Sequence, residues 1–218
     1  MKYTAIILAA GSGSRSGLDY NKVFHKIHRK RVLDYSLEFF QKYPLCDQII
    51  LVCSKADFNF VYDEYHVQKY DIIVGGESRQ ESVYKGLTKA KNDYVLVHDS
   101  ARPYLNSSKI DKLVHEMVDT KAVTLAVPVT DTMVQTIGNR LTKTLNRDVI
   151  VSLQTPQAFQ TDLLRQAHEK ARKRGYLATD DTDLVRKFTH VMPSYIEGDY
   201  RSIKLTTKED IAMLEVIL

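Results

Sequence analysis

The stretch Tyr3-Thr4-Ala5-Ile6-Ile7-Leu8-Ala9-Ala10-Gly11-Ser12-Gly13-Ser14-Arg15-Ser16-Gly17 decides how the rest of the chain is read. Residues 3–8 form a short, nearly all-apolar run, the pattern of a strand buried on both faces of a parallel sheet. A loop of glycine and serine follows, with Asn21-Lys22 close behind. Glycines let the backbone approach an anion closely, and its N–H groups can point inward at phosphate oxygens. Arg15 and Lys22 add the positive charge that a triphosphate requires. Two familiar phosphate motifs fail on spacing. The dinucleotide fingerprint needs its third glycine one residue before Gly17, and a Walker loop needs lysine where Leu18 stands. A purely structural glycine turn has no use for the basic pair, so the loop reads as an anion cradle.

Outward from this loop, strand-like and helix-like segments alternate. Residues 32–41 carry Val32, Leu33, Leu37 and Phe40 at helical spacing, and 48–53 (QIILVC) and 71–74 read as buried strands, the latter ending at Gly75-Gly76. Ser78-Arg79-Gln80-Glu81 has capping-box spacing and predicts a helix to about residue 91. A fourth strand at 94–98, a helix at 109–119 and a fifth strand at 123–127, stopped by Pro128, complete the pattern. The expectation is an α/β fold with a doubly wound, mostly parallel sheet. Right-handed crossovers then put the strands' C-terminal ends on one rim, where ligands bind. Asp99, at the end of the fourth strand, is placed to hold Mg²⁺ between phosphates, and Arg102 to clamp a second phosphate. His98 has no partner at metal spacing and reads as a packing or hydrogen-bonding residue.

The rhythm breaks over residues 129–153, where Thr, Val, Gln and Asn dominate and Gly138-Asn139 marks a hairpin turn. We read this segment as a β-arm, too poor in core of its own to stand without packing on another subunit. Helices at 162–174 and 180–187, a strand near 191–196 and a last helix from about 207 follow. With no repeat, low-complexity tract or linker, residues 1–218 read as one domain with an arm.

Composition narrows the function classes. The 218 residues carry 31 basic and 27 acidic side chains, a net charge of +4, too small to imply nucleic acid by itself. The basic runs at 26–31 and 170–174 read as solvated faces. At 44% hydrophobic and 27% charged residues the chain is ordinary globular material rather than disordered. No apolar stretch approaches the ~18 residues of a membrane span, and the run 5–10 is too short for a secretory segment. Cys46 and Cys53 form neither a CxxC pair nor a disulfide framework and read as buried thiols of a cytoplasmic protein.

Seven motifs in order extend from residue 8 to 207: LAAGSGSR (8–15), GGESRQESV (75–83), VLVHDSARP (95–103), PVTDT (128–132), QTPQAF (154–159), TDD (179–181) and IKLTT (203–207). Together they resemble the 2-C-methyl-D-erythritol 4-phosphate cytidylyltransferase family. The resemblance implies a Rossmann-like nucleotidyltransferase fold and transfer of CMP from CTP to the branched sugar-alcohol phosphate. The products would be 4-diphosphocytidyl-2-C-methyl-D-erythritol and pyrophosphate, in non-mevalonate isoprenoid biosynthesis. It implies that Ala9, Ala10, Gly11 and Gly13 hold CTP and that Gly75, Gly76 and Ser82 line the cytosine pocket. Arg15, Lys22, Arg147 and Lys204 would serve catalysis, Arg102 and Thr132 the acceptor, and Asp99 the Mg²⁺. It further implies a homodimer in which the arm, with Thr132 and Arg147, reaches into the partner's site.

Ribitol 5-phosphate cytidylyltransferases, which supply wall and capsule polymers, are similar in fold and chemistry. Their loop more often reads Ala-Gly-Gly, against Ala9-Ala10-Gly11 here. A non-catalytic nucleotide binder is the third reading, disfavoured because Arg15, Lys22, Asp99, Arg147 and Lys204 are all present. The chain departs from the methylerythritol family at three places. Asn21-Lys22-Val23 stands for Pro-Lys-Gln, Ser100 for a common alanine, and Val134 for the basic residue that often follows the Asp-Thr pair.

Overall fold

A computed structural model describes residues 1–11 and 17–218. In chain order the elements are β1 (Tyr3–Ala9), β2 (Lys26–Ile27), β3 (Lys30–Arg31), α1 (Val32–Lys42), β4 (Cys46–Cys53), α2 (Phe58–Tyr65), β5 (Asp71–Val74) and α3 (Arg79–Leu87). Then come β6 (Tyr94–Asp99), α4 (Ser107–Thr120), β7 (Ala122–Pro128), β8 (Val134–Ile137), β9 (Arg140–Thr144), β10 (Val151–Gln160), α5 (Thr161–Lys173), α6 (Asp181–Phe188), β11 (Ser194–Glu197) and α7 (Glu209–Ile217).

The main sheet has the order β11-β7-β10-β6-β1-β4-β5. Successive side chains of a strand face opposite sides, so each central strand feeds two cores. Ala5 and Ile7 of β1, Leu51 of β4 and Leu96 of β6 pack with Leu33, Leu37 and Phe40 of α1 and Ile110, Leu113 and Met117 of α4. Ile6, Ile50 and Val52, with Val95 and Val97, pack instead with Val83 and Leu87 of α3, Leu164 and Ala167 of α5, and Leu184 of α6. Each fully buried aliphatic side chain stabilises the fold by about 1.5–3 kcal/mol before conformational entropy is charged. Gly86 lets α3 lie close on β1, since a Cβ there would meet Ile6 Cγ2 at 2.7 Å.

This is the doubly wound sheet that the sequence predicts, with one difference in direction. β10 alone runs antiparallel, inserted between β6 and β7. Its first residues belong to the sheet, because Val151 pairs with Pro128 and Leu153 with Ala126. The arm is therefore shorter than the 129–153 expected. Its two strands β8 and β9 pair only with each other, around Gly138 at φ +58°, the first central position of the turn, where a type II′ hairpin needs glycine. α2 was not anticipated from the sequence. α3 ends at Leu87 rather than near 91, and β11 starts at Ser194 rather than near 191.

Candidate active site

Parallel register brings the motif ends together at the C-terminal rim. Ala9 lies beside Cys53, Cys53 beside Val74, and Leu8 beside Asp99. The chain leaves β1 toward β4 and β5 on one side and returns to β6 on the other, so the rim at β1 is a topological switch point.

Asp99 is the centre of charge there. It is 9% exposed, and each carboxylate oxygen takes a cation: Arg79 Nε donates to Oδ1 at 3.1 Å and Lys204 Nζ to Oδ2 at 2.6 Å. Burial alone would favour the neutral acid, but Arg79 and Lys204 outweigh it and hold the carboxyl well below the usual carboxylate range. Arg79 also donates from Nη1 to Oδ2 of the buried Asp181 at 2.6 Å. Desolvation opposes the guanidinium charge, yet Asp181 and Asp99 raise its pKa above the ordinary value. Thr155 Oγ1 accepts from the Asp99 backbone N–H at 3.1 Å, which fixes the end of β6 against β10.

His98 supports this centre from inside the core. Its ring lies within 3.1 Å of Ser36 Oγ, the Arg102 carbonyl and Thr155 Oγ1. Burial pushes its pKa down to about 4, only partly offset by Asp99, so it is neutral at pH 7. Arg102 donates from Nη1 to the Ser202 carbonyl at 2.5 Å, while its buried Nε has no hydrogen-bond partner. Desolvation lowers the Arg102 pKa, with Asp99 opposing.

The second wall is the turn after β5. Gly75 must be glycine: a Cβ would stand 2.7 Å from Ser82 Oγ and 3.0 Å from the Ala10 Cβ. Ser82 Oγ accepts from the Gly76 N–H at 3.1 Å and donates to the Ser78 carbonyl at 2.9 Å. Ser78 caps α3 as the sequence predicts, accepting from the Glu81 N–H. At Gly11, by contrast, no atom of the described residues lies within 4 Å of an added Cβ. Beneath it, Asn21 Nδ2 donates to the Ala9 carbonyl at 2.8 Å and to Asp57 at 3.0 Å, and Lys22 is buried in the following 3₁₀ turn. Cys53 also ends at this rim, but burial pushes its thiol up to about 11, away from nucleophilic use.

Of the residues singled out in the sequence, the rim gathers Ala9, Ala10, Gly11, Lys22, Gly75, Gly76, Ser82, Asp99, Arg102 and Lys204. Gly13 and Arg15 lie outside the described residues. Thr132 and Arg147 are on the exposed arm, where Arg147 Nη1 donates to the Thr130 carbonyl at 2.7 Å. Arg79, Asp181 and Thr155 were not singled out individually, although each stands in a quoted motif. Arg79 carried a usable signal: a cation in the first turn of a helix opposes the macrodipole, so it demands a tertiary partner.

Comparison with known proteins agrees with this fold. The family model described as IspD, 2-C-methyl-D-erythritol 4-phosphate cytidylyltransferase, matches residues 3–218. Proteins of that name from Bacillus velezensis and Geobacillus kaustophilus are 39% and 40% identical to the chain. Both alignments cover 100% of it, with 96% and 97% of the respective relatives. The solved 4-diphosphocytidyl-2C-methyl-D-erythritol synthase of Anaerococcus prevotii superposes with a TM-score of 0.86 at 31% identity, covering 99% of this chain and 95% of its own. Matched by the family model over residues 3–218 and by relatives over its whole length, the chain belongs to the IspD family of 2-C-methyl-D-erythritol 4-phosphate cytidylyltransferases.

Proposed function

We propose that the rim around Asp99 transfers CMP from CTP to 2-C-methyl-D-erythritol 4-phosphate, with the residue roles that follow. The observation that carries this reading is Asp99, ionised and held between Lys204 and Arg79 at the rim where β1 runs into Gly11. CTP lies along Ala9, Ala10, Gly11 and Gly13, where an open backbone admits phosphate oxygens. Its cytosine enters the turn of Gly75 and Gly76, whose shape Ser82 fixes; a pocket of that kind excludes purines by size. A phosphate oxygen of the acceptor attacks the α-phosphorus in line, the α–β phosphoanhydride bond breaks, and pyrophosphate leaves with the electron pair. Both reactants are polyanions, so positioning and charge neutralisation supply most of the rate. Arg15 and Lys22 hold the triphosphate, Lys204 faces the reacting phosphate, and Arg102 with Thr132 and Arg147 receives the acceptor.

The donor chemistry also fits a divalent cation. Among the described residues no group of three or more His, Cys, Asp or Glu could cage a metal, but Asp99 is an ionised carboxylate at the phosphate rim. One carboxylate completed by phosphates and water is the habit of Mg²⁺ rather than of zinc. When bound, the ion adds charge neutralisation to the triphosphate.

The arm supports a dimeric reading. Ile137 and Leu141 are each 75% exposed and Val149 79%, apolar surface for which a second copy is the natural cover. The reading also includes a cytoplasmic setting, in keeping with the unpaired Cys46 and Cys53 and with the absence, among the described residues, of a helix able to cross a membrane.

The test is pyrophosphate release with CTP and Mg²⁺, offering the methylerythritol and ribitol phosphates in parallel, for the wild type and Lys204→Ala. We expect preference for the branched acceptor and a loss of at least about 10²-fold in kcat for the variant, its fold intact. Preference for ribitol phosphate would reassign the acceptor, and near-normal turnover of Lys204→Ala would remove that residue from the chemistry.

A further inference from the structure

Beyond Asp99 the ion pairs continue inward. Arg79 joins Asp99 to Asp181 Oδ2, and His168 Nε2 bonds Asp181 Oδ1 at 3.0 Å. The path therefore runs from the loop holding Lys204, through β6 and α3, to α6 and finally α5. Asp181 opens α6 and His168 lies on α5; both are fully buried.

The inner end of this path is costly as core packing. His168 Nδ1 is buried without a hydrogen-bond partner, and an unmade buried bond is unfavourable. A leucine would fill similar space without that cost. What the imidazole supplies is the Nε2–H that saturates the second oxygen of Asp181. Asp181 then presents its other oxygen to Arg79 in one orientation, and Arg79 presents Nε to Asp99. Tyr84, with its ring centroid 6.2 Å from that of His168 and Arg172 over its face at 4.3 Å, closes the outer side of the imidazole.

From this geometry we infer that His168 and Asp181 are positioning residues of the cytidylyl transfer, orienting Arg79 and through it the Asp99 carboxylate. The inference rests on the function proposed above. Neither residue touches the rim, so they act only through Arg79.

Two amide substitutions separate positioning from mere support. In His168→Gln the side-chain nitrogen extends to where Nε2 stands; in His168→Asn it ends near Nδ1 and falls short of Asp181. We expect His168→Asn to lower kcat about tenfold with KM for CTP nearly unchanged, while His168→Gln stays within about threefold of wild type. The second readout is the Arg79 Nε–H signal in ¹⁵N-resolved NMR of the substrate-free protein, assigned by its loss in Arg79→Lys. Its exchange with solvent should quicken about tenfold in His168→Asn and remain slow in His168→Gln. Equal losses in both variants, following their melting temperatures, would mean a structural role and overturn the inference. So would wild-type kcat and slow Arg79 exchange in His168→Asn. A wild type that releases no pyrophosphate would overturn the functional reading and this inference together; an active wild type with an unaffected His168→Asn would overturn the inference alone.

Discussion

The Asp99 centre and the β-arm solve opposite problems. At the centre the Asp99 and Asp181 carboxylates are buried and held by part-buried Arg79 and Lys204 and by groups of β10 and α5, so each side chain has one orientation. On the arm, two short strands pair only with each other and leave Ile137, Leu141 and Val149 in solvent. The charges of the centre are paired within one chain; the arm, in the proposed dimer, offers its surface to a second copy. Rigidity therefore collects where charge must be aimed, and exposed apolar area where the proposed dimer would form its contact.

The largest expected effect tests the first half of that contrast. Asp99→Asn keeps size and hydrogen-bonding capacity but removes the charge shared by Arg79 and Lys204. Pyrophosphate release should fall about 10³-fold, while melting still reports a folded protein. Near-normal turnover would mean that the buried charge supports structure only. Acid should find the same region next. His98 is neutral in the fold, with a pKa of about 4 against about 6.5 unfolded, so the unfolded state binds more protons between those values. Its contribution to stability is whole above about pH 6.5 and is lost as pH falls toward 4, by about 3 kcal/mol at most. Urea unfolding across that window checks it. His98→Gln should flatten the dependence, whereas a wild type equally stable at pH 7 and pH 4.5 would rule it out.

How far the sequence reveals the two regions follows from their physics. Uniform burial on both faces made β1, β4 and β6 legible as apolar runs, and the Ser78 cap marked the start of α3. β10 was hidden because Pro156 interrupts it and Gln154 and Gln157 stand in its core face; proline in a strand argues against a strand. The structure accommodates it at a register irregularity, between Gln154 and Gln157, that turns Thr155 toward Asp99. α2 escaped because five of its eight residues, FNFVYDEY, are aromatic or β-branched. Asp99 stood out as a charge at the end of a strand, whereas Lys204 entered only through the motif IKLTT. Arg79, Asp181 and His168 did not, since their pairing joins residues up to 102 positions apart, and no local pattern encodes it.

The arm is tested by Leu141→Asp combined with Ile137→Asp. If a second copy covers these residues, sedimentation should show dimer giving way to monomer at micromolar concentration, and turnover should drop about tenfold as Thr132 and Arg147 lose their target. The melting of the main sheet should barely move, in contrast to a substitution at the centre. An unchanged sedimentation profile would detach the arm from assembly.

The smallest effect sharpens the comparison at the level of turns. The arm's hairpin has glycine where φ is positive, at Gly138, and among the described residues none comes within 4 Å of a Cβ there. The β2–β3 hairpin instead puts His28 at φ +49° and Arg29 at φ +66°, the left-handed region that side chains disfavour. A tertiary contact sustains it: the His28 Nε2 lies 2.8 Å from the Glu215 carbonyl of α7. The turn inside the finished fold can carry strain that the turn outside it cannot. Arg29→Gly should then stabilise the protein by about 1 kcal/mol, because relief of the left-handed strain exceeds the added freedom of the unfolded chain. Gly138→Val should lower amide protection along β8 and β9 without shifting global unfolding. If Arg29→Gly destabilises instead, the strain at this turn is not what the backbone angles imply, and the two hairpins differ only in position.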